Sequence, residues 1–159
     1  MRNIWTIAKR EYNQYFISPV AYVVALMFLF TVGLIFAINL LAFSNNPYGT
    51  TDAPDISIIT GPMGFLLLLA TPALTMRLVA DEVRMGTMEL LLTAPLRDYE
   101  LIIGKWLGAF LFILTLVAVT LVFPILLNRM VTPGIDQLKM MSAYLGVILT
   151  AAAFLALGV

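Results

Sequence analysis

Four runs along the chain are almost wholly apolar, and the polar residues collect between them. Val20 to Phe43 holds no charged side chain. Ile56 to Met76 is bounded by Asp55 and Arg77. Trp106 to Leu127 follows Lys105 and stops before Asn128 and Arg129, and Met140 to Val159 follows Lys139. Each run supplies the ~20 apolar residues, at ~1.5 Å rise apiece, that a bilayer crossing needs. Ahead of them the pattern changes. In residues 3–16, NIWTIAKREYNQYF, Ile4, Trp5, Ala8, Tyr12, Tyr15 and Phe16 fall three or four apart, with Lys9, Arg10, Asn13 and Gln14 between them. That period predicts an amphipathic helix lying in the membrane plane, with Trp5, Tyr12, Tyr15, Phe16 and the cations Lys9 and Arg10 at the interface. Ser18-Pro19 should break it and turn the chain into the first span. The expected fold is all-α: one in-plane helix and four transmembrane helices.

Composition strengthens this reading. Of 159 residues, 62% are hydrophobic and 11% charged, against about 45–50% and 25% for a soluble domain. A net charge of zero gives no field to attract nucleic acid. With no cysteine or histidine, disulfides, thiol chemistry, Cys/His zinc sites and a Ser-His relay are excluded. The first run is too long for a signal-peptide core and lacks a small-x-small cleavage site, so it should remain as an anchor. Orientation follows from Lys and Arg. The N-terminal segment carries Arg2, Lys9 and Arg10, and the 77–105 loop carries Arg77, Arg84, Arg97 and Lys105. The 44–55 loop has none, and the 128–139 loop has Arg129 and Lys139. The N-terminus and the 77–105 loop are therefore expected in the cytoplasm, the chain being multi-pass in the cytoplasmic (inner) membrane.

The spans place no Asp, Glu, Lys or Arg near their middles. Proton relays and ion-coupled carriers normally do so despite the cost, and an intramembrane enzyme would need an Asp pair, a metal cluster or an activated Ser. Asn39 is read as an interhelical hydrogen-bonding residue, the methionines as lipid-facing filler, and Asp136 as a turn former. Pro72 and Pro124 lie inside spans, where each frees a carbonyl and favours a kink.

The 77–105 loop has its own order. Arg77, Asp81 and Arg84 fall at helical spacing, so the second span can continue as a charged stalk that Gly86 ends. Thr87 is a natural cap for a second, short helix with Glu89 in its first turn, and Pro95 stops it. Asp98 can cap the helix leading to Trp106. The short helix offers Leu90, Leu91 and Leu92 with no core of its own. Either it rests on lipid or a soluble partner supplies a groove.

DEVRMGTMELLLTAPLRDYELIIGK resembles the stalk, coupling helix and third-span entrance of ABC-2 type transporter permeases. KREYNQYFISPVAYV resembles their elbow helix and first-span start. TPALTMRLVADE and TPGIDQ…SAYLG are similar to the branch named for gliding-motility-associated permeases. The resemblance implies a permease that pairs as a homo- or heterodimer and associates with two cytoplasmic ATPase subunits. These hold ATP and Mg, and drive export of a substrate across the membrane. Carried over, Gly86, Thr87, Met88, Glu89, Leu90, Leu91, Leu92 and Pro95 form the ATPase-coupling contact, with the helix itself at 88–93. Trp5, Lys9, Arg10, Tyr12, Tyr15 and Phe16 form the elbow.

No catalytic residue, metal or cofactor is expected on this chain. Gly104-Lys105 is followed by Trp106 where a Walker loop needs Ser or Thr, and Tyr99 stands in place of its leading glycine. Lys105 is expected to snorkel to the interface. Family members commonly have six spans. Residues 1–159 are therefore read as one permease domain cut short at its C-terminus, with two spans and an outer segment lying beyond Val159. The competing function is a membrane anchor or scaffold for a cytoplasmic protein, without transport.

Overall fold

The structure, a computed structural model, describes residues 2–44, 55–85, 98–130 and 136–158. Among them the elements are helical: α1 (Arg2–Ile17), α2 (Pro19–Ser44), α3 (Ser57–Met85), α4 (Asp98–Thr120), α5 (Val122–Met130) and α6 (Gln137–Gly158). Four stretches are long and apolar enough to cross a membrane: Pro19–Ala42, Ser57–Met76, Tyr99–Met130 and Gln137–Gly158. They match the four apolar runs. The third is preceded by helix that begins at Asp98, ahead of Lys105 and Trp106, at the residue expected to cap it.

The α1–α2 corner forms where Pro19 cannot continue the helix. Ser18 donates its amide to the Tyr15 carbonyl at 3.3 Å, closing the last turn of α1. At the start of α6, Asp136 Oδ1 accepts the amides of Leu138 and Lys139 at 3.0 and 3.4 Å. Asp136 thus serves as an N-cap, a role for which its short acceptor side chain suits it.

Side-chain pairings fix how the spans run. α3 and α6 lie side by side in the same direction. Lys139 Nζ meets Asp55 Oδ2 at 2.9 Å at one end of the pair. At the other, a Cβ added to Gly158 would come within 2.6 Å of Thr75 Oγ1. α4 runs the opposite way beside α6, with the Trp106 indole donating to the Ala152 carbonyl at 3.2 Å and the Tyr144 hydroxyl to the Thr120 carbonyl at 3.1 Å. α2 reaches the third span through Phe36, whose ring centre is 5.2 Å from that of Phe123, and through Gly33 beneath the same ring.

The buried core is apolar, with Met63, Leu67, Leu74, Ile113, Leu155 and Ala151 at its centre. Outside it, Leu26, Phe30, Phe65 and Leu149 are exposed. Such a surface would be costly in water but is ordinary against lipid tails, which are as apolar as leucine. Span hydroxyls turn back on their own helices: Thr31 to Met27 O at 2.7 Å, Thr71 to Leu67 O at 2.6 Å and Thr150 to Gly146 O at 2.7 Å. Each donor is thereby satisfied without a neighbour. Asn39 does the same, its amide donating to Ile35 O at 2.8 Å. The interhelical bond expected of it is replaced by a local one, because a carbonyl one turn back is already within reach.

Candidate functional site

The segment expected to couple, residues 86–97, follows α3 and precedes α4 in the chain. α3 continues as helix to Met85, past the apolar stretch that stops at Met76, which adds about 14 Å at ~1.5 Å per residue. α4 starts again at Asp98. The stretch from Tyr99 to Met130 is 32 residues long, more than the ~20 that cross a hydrocarbon layer of ~30 Å. Gly86, Thr87, Met88, Glu89, Leu90, Leu91, Leu92 and Pro95 lie outside the described residues.

The elbow residues are described. α1 is helical as expected, but its apolar stripe turns to the start of α4 and follows that span, a course different from the in-plane placement expected of it. The pairings advance in step: Ile4 and Ile7 at Gly104, Ala8, Glu11 and Tyr12 at Gly108, Tyr15 and Phe16 at Phe112. α1 thus follows the first turns of α4 in the same direction. Gly104 and Gly108 make this approach possible. A Cβ on Gly108 would lie 2.5 Å from Glu11 Cβ and 3.1 Å from the Ala8 carbonyl oxygen, and one on Gly104 would lie 2.7 Å from Ile7 Cγ2. This is the small-xxx-small packing that lets membrane helices touch backbone to backbone.

The aromatics split between two tasks. Tyr15 is buried and stacked on Phe112, with ring centres 4.7 Å apart, while Tyr12 shares a hydrogen bond with Thr115 at 3.1 Å. Trp5, Phe16 and Ile17 remain exposed, as do Lys9 and Arg10. Of the four aromatics expected at the interface, Trp5 and Phe16 are thus exposed. Tyr12 and Tyr15 pack on the third span, because they share a helix face with Ala8.

Two charged residues were not foreseen in their places. Glu11 is buried on the α4 side of α1, with Oε1 3.1 Å from Arg10 Nη2. Burying a carboxylate is costly unless it is paired, and Arg10, itself exposed, supplies the charge from the rim. Lys105, expected to snorkel outward, is buried, since α1 covers the face of α4 from Gly104 to Gly108. The G-x-x-x-G spacing at 104–108 was the sequence signal for this contact.

At the opposite end of the bundle, Asp55 bonds Lys139 and also accepts the Ser57 hydroxyl at 2.9 Å. These two donors, Lys139 foremost, hold its carboxyl below the ordinary value of 3.8. A depressed folded value means the pair supports the fold fully above the unfolded value and loses that support as pH falls through the folded one. Thermal unfolding in nanodiscs should thus show a small loss of stability below about pH 3.8 that Asp55→Asn removes.

Long apolar helices that pack by small residues and turn exposed hydrophobic faces outward define an integral membrane protein. Residues 5–159 match the family model described as ABC-2 family transporter protein. The chain belongs to the ABC-2 transporter family. No curated protein and no solved structure matches it significantly.

Proposed function

We propose that this chain is the permease subunit of an ABC exporter, coupling ATP hydrolysis on a separate cytoplasmic ATPase to movement of a substrate across the inner membrane. The family match over 5–159 carries this reading. The bundle geometry supports it. α3 extends beyond its span, and α4 restarts clasped by α1, so the intervening segment 86–97 is anchored at both ends to rigid helices. A docked ATPase would then pull on α3 and on the α1–α4 pair together. Met88 to Thr93 would form the coupling helix, with Glu89 as its acidic contact. Two ATPase subunits and a second permease chain complete the complex in this reading, with ATP and Mg on the ATPase.

Charge supports the orientation. Arg2, Lys9, Arg10, Arg77, Arg84, Arg97 and Lys105 belong to the segments at the α1 end, and only Arg129 and Lys139 to the other, the bias that marks a cytoplasmic face. The absence of native cysteine makes a clean test possible. Thr51→Cys should react with an impermeant thiol reagent outside intact cells, and Gly86→Cys should react only after permeabilisation. The reverse pattern would overturn the orientation. The functional reading itself is tested by purifying the chain from native membranes. An ABC-type ATPase should accompany it, with turnover that depends on the permease and responds to cargo. An associated protein whose ATP turnover ignores the membrane subunit would favour an anchor or scaffold instead.

A further inference from the structure

The third span is interrupted where a proline removes a backbone donor, and a neighbouring span fills the gap. Pro124 has no amide hydrogen, so the Thr120 carbonyl lacks the partner it would have four residues on. The chain leaves α-helical geometry at Leu121, whose amide reaches only to Ala118 O at 3.2 Å, and regular bonding resumes with Ile125 to Leu121 O at 3.3 Å. The Tyr144 hydroxyl of α6 donates to the orphaned Thr120 carbonyl at 3.1 Å. Thr120 and Tyr144 are both buried. The Thr120 hydroxyl bonds Val117 O at 2.6 Å, with the Tyr144 oxygen at 3.5 Å and Met63 Sδ at 3.7 Å.

The two sides of the interruption have different neighbours. Below it, α4 is held by α1 through Gly104, Gly108 and Phe112. Above it, α5 is held by α2, through the Phe36–Phe123 contact and the seat of Phe123 on Gly33. A rod with a weak joint, held at each end by a different partner, bends at the joint.

We propose that residues 121–124 are a hinge in the third span and that the Tyr144 hydroxyl is its latch, replacing the hydrogen bond that Pro124 cannot give. With the latch closed, the Thr120 carbonyl is satisfied and dry. When the joint opens and the Thr120 end of α4 parts from α6, that carbonyl must find another donor, and within a bilayer the available one is water. Bending at the joint and hydration of the Thr120 carbonyl are then a single event. This goes beyond the ATPase-coupling reading and does not depend on it.

The test is a double-mutant cycle read by amide hydrogen exchange on the 159-residue chain in lipid nanodiscs. Tyr144→Phe keeps the ring and removes only the donor. It should speed exchange at Leu121 and Ile125 by about tenfold, the scale expected when a buried acceptor is orphaned and local opening becomes easier. Amides of Ile113 to Leu116 should keep their native rates. Pro124→Ala restores a backbone donor for Thr120, so in that background Tyr144→Phe should change exchange by less than about twofold. Equal acceleration in both backgrounds would make Tyr144 a packing residue and overturn the latch. No acceleration in either would overturn it as well.

Discussion

Gly108→Ala is expected to loosen α1 from α4, although alanine is the better helix former by roughly 1 kcal/mol. The two effects oppose each other, and geometry decides which wins. The new methyl would stand 2.5 Å from Glu11 Cβ and 3.1 Å from the Ala8 carbonyl oxygen. Neither is the far end of a flexible side chain, so the helices themselves must separate. Overpacking of this kind costs about 1–3 kcal/mol, and separation also forfeits the Tyr15–Phe112 stack and the Tyr12–Thr115 hydrogen bond. Gly61→Ala is the control, since nothing lies within 4 Å of a Cβ there and propensity alone should act. Docking can be read by joining Tyr12→Cys to Thr115→Cys with a short bifunctional thiol reagent, since the native side chains meet at 3.1 Å but through a tyrosine ring that sets the two Cβ atoms too far apart for a direct disulfide. The cross-link should form readily in the otherwise native chain, persist with Gly61→Ala, and fall sharply with Gly108→Ala. An undiminished cross-link with Gly108→Ala would show that the glycines are not what brings the two helices together.

This contact also marks where the sequence stops being legible. The spans could be read because the bilayer imposes a length and excludes charge, so Asp55, Arg77 and Lys139 punctuate the runs close to where the apolar stretches begin and end. The continuation of α3 to Met85 was visible in the helical spacing of Arg77, Asp81 and Arg84. Choice of neighbour was not visible. Between membrane helices there is no hydrophobic drive to distinguish one apolar face from another, and packing is settled by small residues and single hydrogen bonds. The period of α1 showed that it had an apolar face but not that α4 would cover it, and so Glu11 and Lys105 were missed as buried residues. Pro124 announced a kink. Its remedy lies on Tyr144, and nothing in the order of residues connects the two.

The coupling segment is where the functional proposal is most exposed, and the expected result is loss of the ATPase from the complex. If Met88 to Thr93 docks in an ATPase groove, it must stay helical and present Leu90 to Leu92 on one side. Leu91→Asp would carry a charge into an apolar groove, where an unpaired charged group costs several kcal/mol unless it neutralises. Glu89→Lys reverses a charge in the first turn, opposing the helix dipole by ~0.3–1 kcal/mol before any partner contact is counted. The first change should therefore abolish association where the second weakens it. Neither residue lies in one of the four apolar runs of the sequence, so insertion and abundance should survive both, as should the α1–α4 cross-link. That ordering separates a coupling defect from a folding defect, because α4 restarts at Asp98 with α1 packed along its first turns. The measurement is co-purification and stimulated ATP turnover on matched amounts of inserted protein. Unchanged association and turnover with both substitutions would mean that the leucines rest on lipid, and the coupling role would have to be withdrawn.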